Sequence, residues 1–155
     1  MADWAGKPVV IGHSFGGLIA QRLLGQDLAA AAVGIDAAPI KGVLFVPPSA
    51  LRVASIALRN PANAKRAVSP SSPAKVNTGN PTRGPLLLIA GGRDHTVPAS
   101  VTRSTHKLYR NSAAVTDFQE FPDRGHSLAL DGGWREVANA ALGWLREKAP
   151  AAPPS

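Results

Sequence analysis

Residues Pro8–Ala20 read "PVVIGHSFGGLIA". The apolar, β-branched run Pro8–Ile11 fits a short buried strand. It stops at Gly12-His13-Ser14-Phe15-Gly16, and Gly16–Gln26 fits a helix, with Leu18, Gln21, Arg22 and Leu24 dividing its apolar and polar faces. A serine hydroxyl is a poor nucleophile unless a base can reach it. A sharp strand-to-helix turn would hold Ser14 in a strained conformation and project its hydroxyl from the end of a sheet. Backbones run close in such a turn, so Gly12 and Gly16 are expected where side chains would collide, and Gly17 where helix and strand pack. The N–H of Phe15 would open the helix and face the place where an oxyanion forms.

Further along the chain, strand and helix patterns alternate. Ala31–Ile35 is a second apolar run ending at Asp36, and Pro85–Ala90 ("PLLLIA") is a third. Ala99–Arg110 fits a helix and Ala114–Phe121 a strand. Asp131 is placed to cap a final helix, where Trp134, Val137, Ala138, Ala141, Leu142 and Leu145 form a stripe at helical spacing. Strands alternating with helices predict an α/β architecture, a mostly parallel sheet flanked by helices. The 155 residues are expected to form a single domain, residues 1–155, with a frayed tail at residues 150–155.

An acid beyond the carboxyl end of a parallel strand sits on the same rim as Ser14. Asp94, in "GGRDHTVP", follows the third apolar run, and His126, in "PDRGHSL", follows the fourth. The order Ser14, Asp94, His126 is that of one of the three known chain orders of a Ser-His-Asp triad. Asp36 also follows a strand and is the reserve acid. Asp94 could instead cap the helix near Pro98, and Asp123 could pair with Arg124. His13 is expected to pack, and His95 and His106 to face solvent or bond locally. Trp134 and Trp144 are expected to pack the last helix. The sequence shows no metal-binding cluster.

"GHSFGG", "LLLIAGGRDHTVP" and "FPDRGHSL" together resemble the α/β-hydrolase superfamily, over Pro8–Ile40 and Pro85–Lys148. The resemblance implies Ser14 as nucleophile, His126 as general base and acid, Asp94 as the carboxylate that orients it, and Phe15 as an oxyanion-hole N–H. It implies an esterase- or lipase-like serine hydrolase with a small-molecule acyl or ester substrate, no cofactor and no metal. Acyl transfer or perhydrolysis would use the same triad. In the superfamily, further strands precede the nucleophile strand, and a loop among them supplies the second oxyanion donor. Only seven residues precede Pro8, so those strands are expected to be lacking. Residues 42–84 resemble the remnant of a helical cap, with a helix about Ala50–Leu58 and an irregular run over Asn60–Gly84. An inactive hydrolase fragment is therefore the competing expectation, as is self-association through an exposed sheet edge.

The charge is +7, and it is local. Between Asp36 and Asp94 the sequence carries eight bases (Lys41, Arg52, Arg59, Lys65, Arg66, Lys75, Arg83 and Arg93) and no acid. They are spread out and accompanied by few aromatics, which fits a solvated face better than a nucleic-acid surface. No apolar run is long enough for a transmembrane helix. The start lacks the pattern of a signal peptide and the chain has no cysteine, so a cytoplasmic location is expected.

Overall fold

The computed structural model describes residues 6–43 and 74–149. In chain order they form β1 (Val9–His13), α1 (Phe15–Gly25), β2 (Ala31–Ile35), β3 (Leu86–Gly91), α2 (Ala99–Leu108), a 3-10 turn at Tyr109–Asn111, β4 (Thr116–Phe121) and α3 (Trp134–Lys148). The expected elements are present, and most boundaries move by one or two residues. The expected helix at Ala50–Leu58 and the tail at 150–155 lie outside the described residues, and residues 74–85 contain neither helix nor strand. Among the described residues no helix is long and apolar enough to cross a membrane.

All four strands are parallel, in the order β1-β2-β3-β4. β2 and β3 are central and buried along their whole length. That explains why they read as continuous apolar runs rather than alternating ones. Their side chains divide between two cores. Ala32, Leu86 and Leu88 pack with Leu18 and Leu24 of α1 and Val101 of α2. Val33, Ile35, Leu87 and Ile89 pack with Leu128 and with Val137 and Ala141 of α3. The sheet is thus the middle of three layers, with α1 and α2 on one face and α3 on the other.

α3 leaves β1 partly uncovered. Val9 and Ile11 are about half exposed, as are Trp134 and Leu142 of the expected helical stripe. Ile11, Ile35, Trp134, Val137 and Leu142 line an apolar groove of about 390 Å³ beside β1. Trp144 packs against the α3-side core, and its indole N–H donates to Asp117 at 2.7 Å.

The glycines of the turn divide differently from expectation. A Cβ on Gly12 would lie 2.1 Å from the Gly16 carbonyl oxygen, and one on Gly17 would lie 2.7 Å from the Ala37 Cβ. A Cβ on Gly16 meets nothing within 4 Å. The crowding therefore falls on Gly12 and on the helix–strand contact at Gly17, while Gly16 contributes its backbone. Gly12→Ala should destabilise the protein by about 3 kcal/mol or more. Gly16→Ala should stay within about 1 kcal/mol of the parent, because alanine is also the better helix former. Urea denaturation of the two variants checks the contrast.

Candidate active site

The carboxyl ends of β1, β2, β3 and β4 all meet one rim of the sheet. Ser14 follows β1 with φ 53° and ψ −117°, a backbone conformation unusual for a residue with a side chain. Its N–H donates to the Ile35 carbonyl at 2.8 Å, and its carbonyl accepts the N–H groups of Gly17 and Ala38, each at 3.0 Å. These bonds hold the turn from both sides and leave the side chain free to project. Phe15 begins α1, where a first-turn N–H has no partner inside the helix. Its ring is mostly exposed.

His126 reaches this rim from the loop after β4. Its Nε2 lies 3.2 Å from Ser14 Oγ and its Nδ1 2.6 Å from Asp94 Oδ2. An imidazole facing a carboxylate through Nδ1 carries its proton there, and Nε2 is left to accept from the serine hydroxyl. The Asp94 side chain is fully buried, whereas that of His126 is a quarter exposed. Asp94 Oδ1 accepts the N–H groups of Thr96 at 2.6 Å and Val97 at 2.9 Å. The two expected uses of Asp94 are thus made at once, with one oxygen holding the loop before α2 and the other facing His126.

The loops bearing Asp94 and His126 touch through backbone. Arg93 N–H donates to the Arg124 carbonyl at 2.8 Å, and Gly92 N–H to the Phe121 carbonyl at 2.9 Å. A Cβ on Gly91 would lie 2.7 Å from the Arg124 carbonyl oxygen, so the "GG" before Arg93 is what lets the loops approach. His13 joins them, donating from Nε2 to the His126 carbonyl at 2.7 Å, with its ring 4.8 Å from the His126 ring. His13, Asp36 and His126 are metal-capable by residue type and converge. Both His126 nitrogens already face Ser14 and Asp94, so the cluster lacks three free ligand atoms.

A model of the prolyl oligopeptidase family matches residues 5–151. The chain belongs to this family. Solved structures of low identity share its α/β-hydrolase fold. A monoacylglycerol lipase from Paleococcus ferrophilus is 20% identical with a TM-score of 0.58, and the match covers 91% of this chain and 68% of that one. An acylaminoacyl peptidase from Pyrococcus horikoshii is 16% identical with a TM-score of 0.61, over 95% of this chain and 24% of that one. A thermophilic esterase from the Planctomycetes species Thermogutta terrifontis, solved with butyrate bound, is 18% identical with a TM-score of 0.61, over 93% and 58%. The chain thus spans between 24% and 68% of the length of these structures. No curated protein matches it in sequence.

Other expectations need correction in this member of the prolyl oligopeptidase family. Asp123 pairs with Arg93 at 2.7 Å, while Arg124 turns to Asp131 and Glu136. Asp131 stands two residues before the helix cap at Gly133 and accepts the Gly133 N–H at 3.0 Å. Arg83 is buried rather than solvated. As expected, His106 makes a hydrogen bond, to the Thr116 carbonyl at 3.1 Å, and His95 is exposed.

Asp36, the reserve acid, lies on the same rim, fully buried, with φ 41°. Its Oδ1 accepts the Gly91 N–H at 2.8 Å, and its Oδ2 has no partner among the described residues. Burial first, and the negative charge of Asp94 with it, push its carboxyl from 3.8 up to about 7, against the opposing pull of the Gly91 N–H and His126. Native protein therefore holds a proton on Asp36 that the unfolded chain has already released between pH 3.8 and about 7. Its contribution to stability is fully present below that window and is lost as pH rises through it. Urea midpoints measured from about pH 4 to about pH 8 should fall less steeply in Asp36→Asn than in the parent.

Proposed function

We propose that the chain is a serine hydrolase that opens ester-like acyl substrates through an acyl-enzyme. The supporting observation is His126, which faces Ser14 Oγ with one ring nitrogen and the buried Asp94 carboxylate with the other. In this reading Ser14 Oγ attacks the acyl carbon while its proton passes to His126 Nε2. The carbonyl oxygen becomes an oxyanion and accepts the Phe15 N–H. Asp94 keeps the imidazole in the required tautomer and stabilises the imidazolium. When the tetrahedral adduct collapses, the leaving alcohol takes the proton from Nε2, and water then repeats the cycle to release the acid and free Ser14. The lipase, esterase and acylaminoacyl peptidase it is similar to carry names of ester and amide chemistry, and one acyl-enzyme serves both.

A fluorophosphonate probe tests the reading, since it needs only an activated serine. Folded parent protein should be labelled at Ser14 and Ser14→Ala should not. Asp94→Asn should slow labelling by roughly 10³–10⁴-fold. A folded sample whose labelling is unchanged by Ser14→Ala would exclude this mechanism.

The edge of the sheet supports a second reading, concerned with assembly. Among the described residues β1 is outermost and pairs only with β2, and it exposes Val9 and Ile11 next to the apolar groove. An unpaired apolar edge is a template for another strand, and a second copy of this chain is the occupant we propose. Gel filtration with light scattering should give a dimer that dissociates on dilution, and Ile11→Lys should leave a monomer. A parent protein that is monomeric at high concentration would overturn the assembly.

A further inference from the structure

The triad makes no use of Asp36, a fully buried carboxyl at the tip of a central strand. We propose that Asp36 is a positioning residue for His126: a second carboxyl behind the Asp94–His126 pair whose ionisation sets how firmly the imidazole holds its proton. The inference rests on the triad reading above and adds a member that acts through His126 without touching the substrate.

The placement follows from the sheet. β2 lies between β1, which ends at Ser14, and β3, whose following loop carries Asp94, so the residue after β2 faces the space between nucleophile and acid. The Asp36 N–H donates to the Ile89 carbonyl at 2.9 Å, and Oδ1 is held by the Gly91 N–H. The carboxyl is pinned, and its Oδ2 is buried without a hydrogen-bond partner among the described residues. Ligand atoms of His13, Asp36 and His126 all lie within 4.8 Å of one another. Among the described residues the titratable groups around Asp36 are His13 from the end of β1, Asp94 from the loop after β3 and His126 from the loop after β4. His13 Nε2 is taken up by the His126 carbonyl, to which it donates.

Asp94 and Asp36 differ in how their negative charge is held. Asp94 accepts two backbone N–H groups and the imidazole, whereas Asp36, buried as well, accepts one N–H. Burial, and the negative charge of Asp94 beside it, raise the Asp36 carboxyl, so Asp36 keeps its proton longer. When Asp36 does ionise, His126 has a second negative neighbour and its protonated form is stabilised. The protons then leave Asp36 and His126 in two steps that belong to the pair. Acylation requires His126 to become a cation. That cation meets one carboxylate at low pH and two at high pH.

The test is an NMR titration of the His126 ring in full-length protein labelled with ¹⁵N-histidine, with the resonance assigned by its absence in His126→Gln. The parent should titrate His126 in two steps. Asp36→Asn, which can still accept from Gly91, should titrate in one step with a lower midpoint. The fluorophosphonate labelling rate, followed against pH, should shift in the same direction. A purely structural Asp36 would lower stability and leave the His126 midpoint where it is, and that result overturns the proposal. A single-step titration in the parent also overturns it, which keeps the test decisive even where Asp36→Asn fails to fold. Parent protein that is never labelled would sink the hydrolase reading alone, because the titration does not depend on turnover.

Discussion

The backbone of Ser14 is the constraint on which the rim depends. A residue with a side chain at φ 53° and ψ −117° is strained, at a cost on the order of 1–3 kcal/mol, and persists only where its surroundings over-determine it. Here its backbone hydrogen bonds do so. The Ser14 N–H continues the ladder onto Ile35, its carbonyl starts α1 through Gly17, and the same carbonyl holds the chain leaving β2 through Ala38. One residue therefore joins the end of β1, the start of α1 and the segment beyond Asp36. A relaxed serine would break all three links and turn the hydroxyl away from His126.

The parallel sheet does the rest. Since all four strands run the same way, the segments that follow them gather at one end without long excursions. Gly91 pairs with Phe121 at the last rung between β3 and β4, and the Asp94 and His126 loops leave from those two residues. Backbone bonds from Gly92 and Arg93 to the opposite loop set their spacing before any side chain is considered. Asp94 then fixes its own loop through Thr96 and Val97, and this leaves its second oxygen no freedom but to face His126.

Much of this was legible in the sequence because it is written locally. The buried strands appear as apolar runs, the elbow as glycines around Ser14, and Asp94 and His126 as polar residues just past strand ends. What was not legible depends on pairs far apart in the chain. Arg124 adjoins Asp123 yet pairs with Asp131 and Glu136, because the turn sends Asp123 back to Arg93. His13 read as filler, and its bond spans 113 positions to a backbone carbonyl that carries no sequence signature. Gly16 matched the motif as well as Gly12 did, but only the Gly12 position points at opposing backbone. The exposure of Trp134 and Leu142 was hidden for a similar reason. Helical spacing identifies one face of α3, and the width of the sheet beneath decides how much of that face is covered.

Arg83 shows how the opposite end of the sheet bears on the site. It read as one of eight dispersed surface bases, yet only 4% of it is exposed. Burial lowers its proton affinity, and its guanidinium donates to the carbonyls of Gly84, Ala114 and Val115 and to the Thr116 hydroxyl, with its plane near the Tyr109 ring. Those acceptors belong to the chain entering β3 and the chain entering β4. A rigid fork of donors on both entrances allows one alignment of the two strands, the one in which Leu86 stands beside Thr116. In a parallel ladder that alignment passes unchanged to the far end, where Gly91 stands beside Phe121 and the two loops begin. A slip of one residue would move His126 by about 3.3 Å relative to Asp94, more than the 2.6 Å that now separates them. The burial of a cation at the amino-terminal edge is thus a condition of the contact at the carboxyl-terminal one.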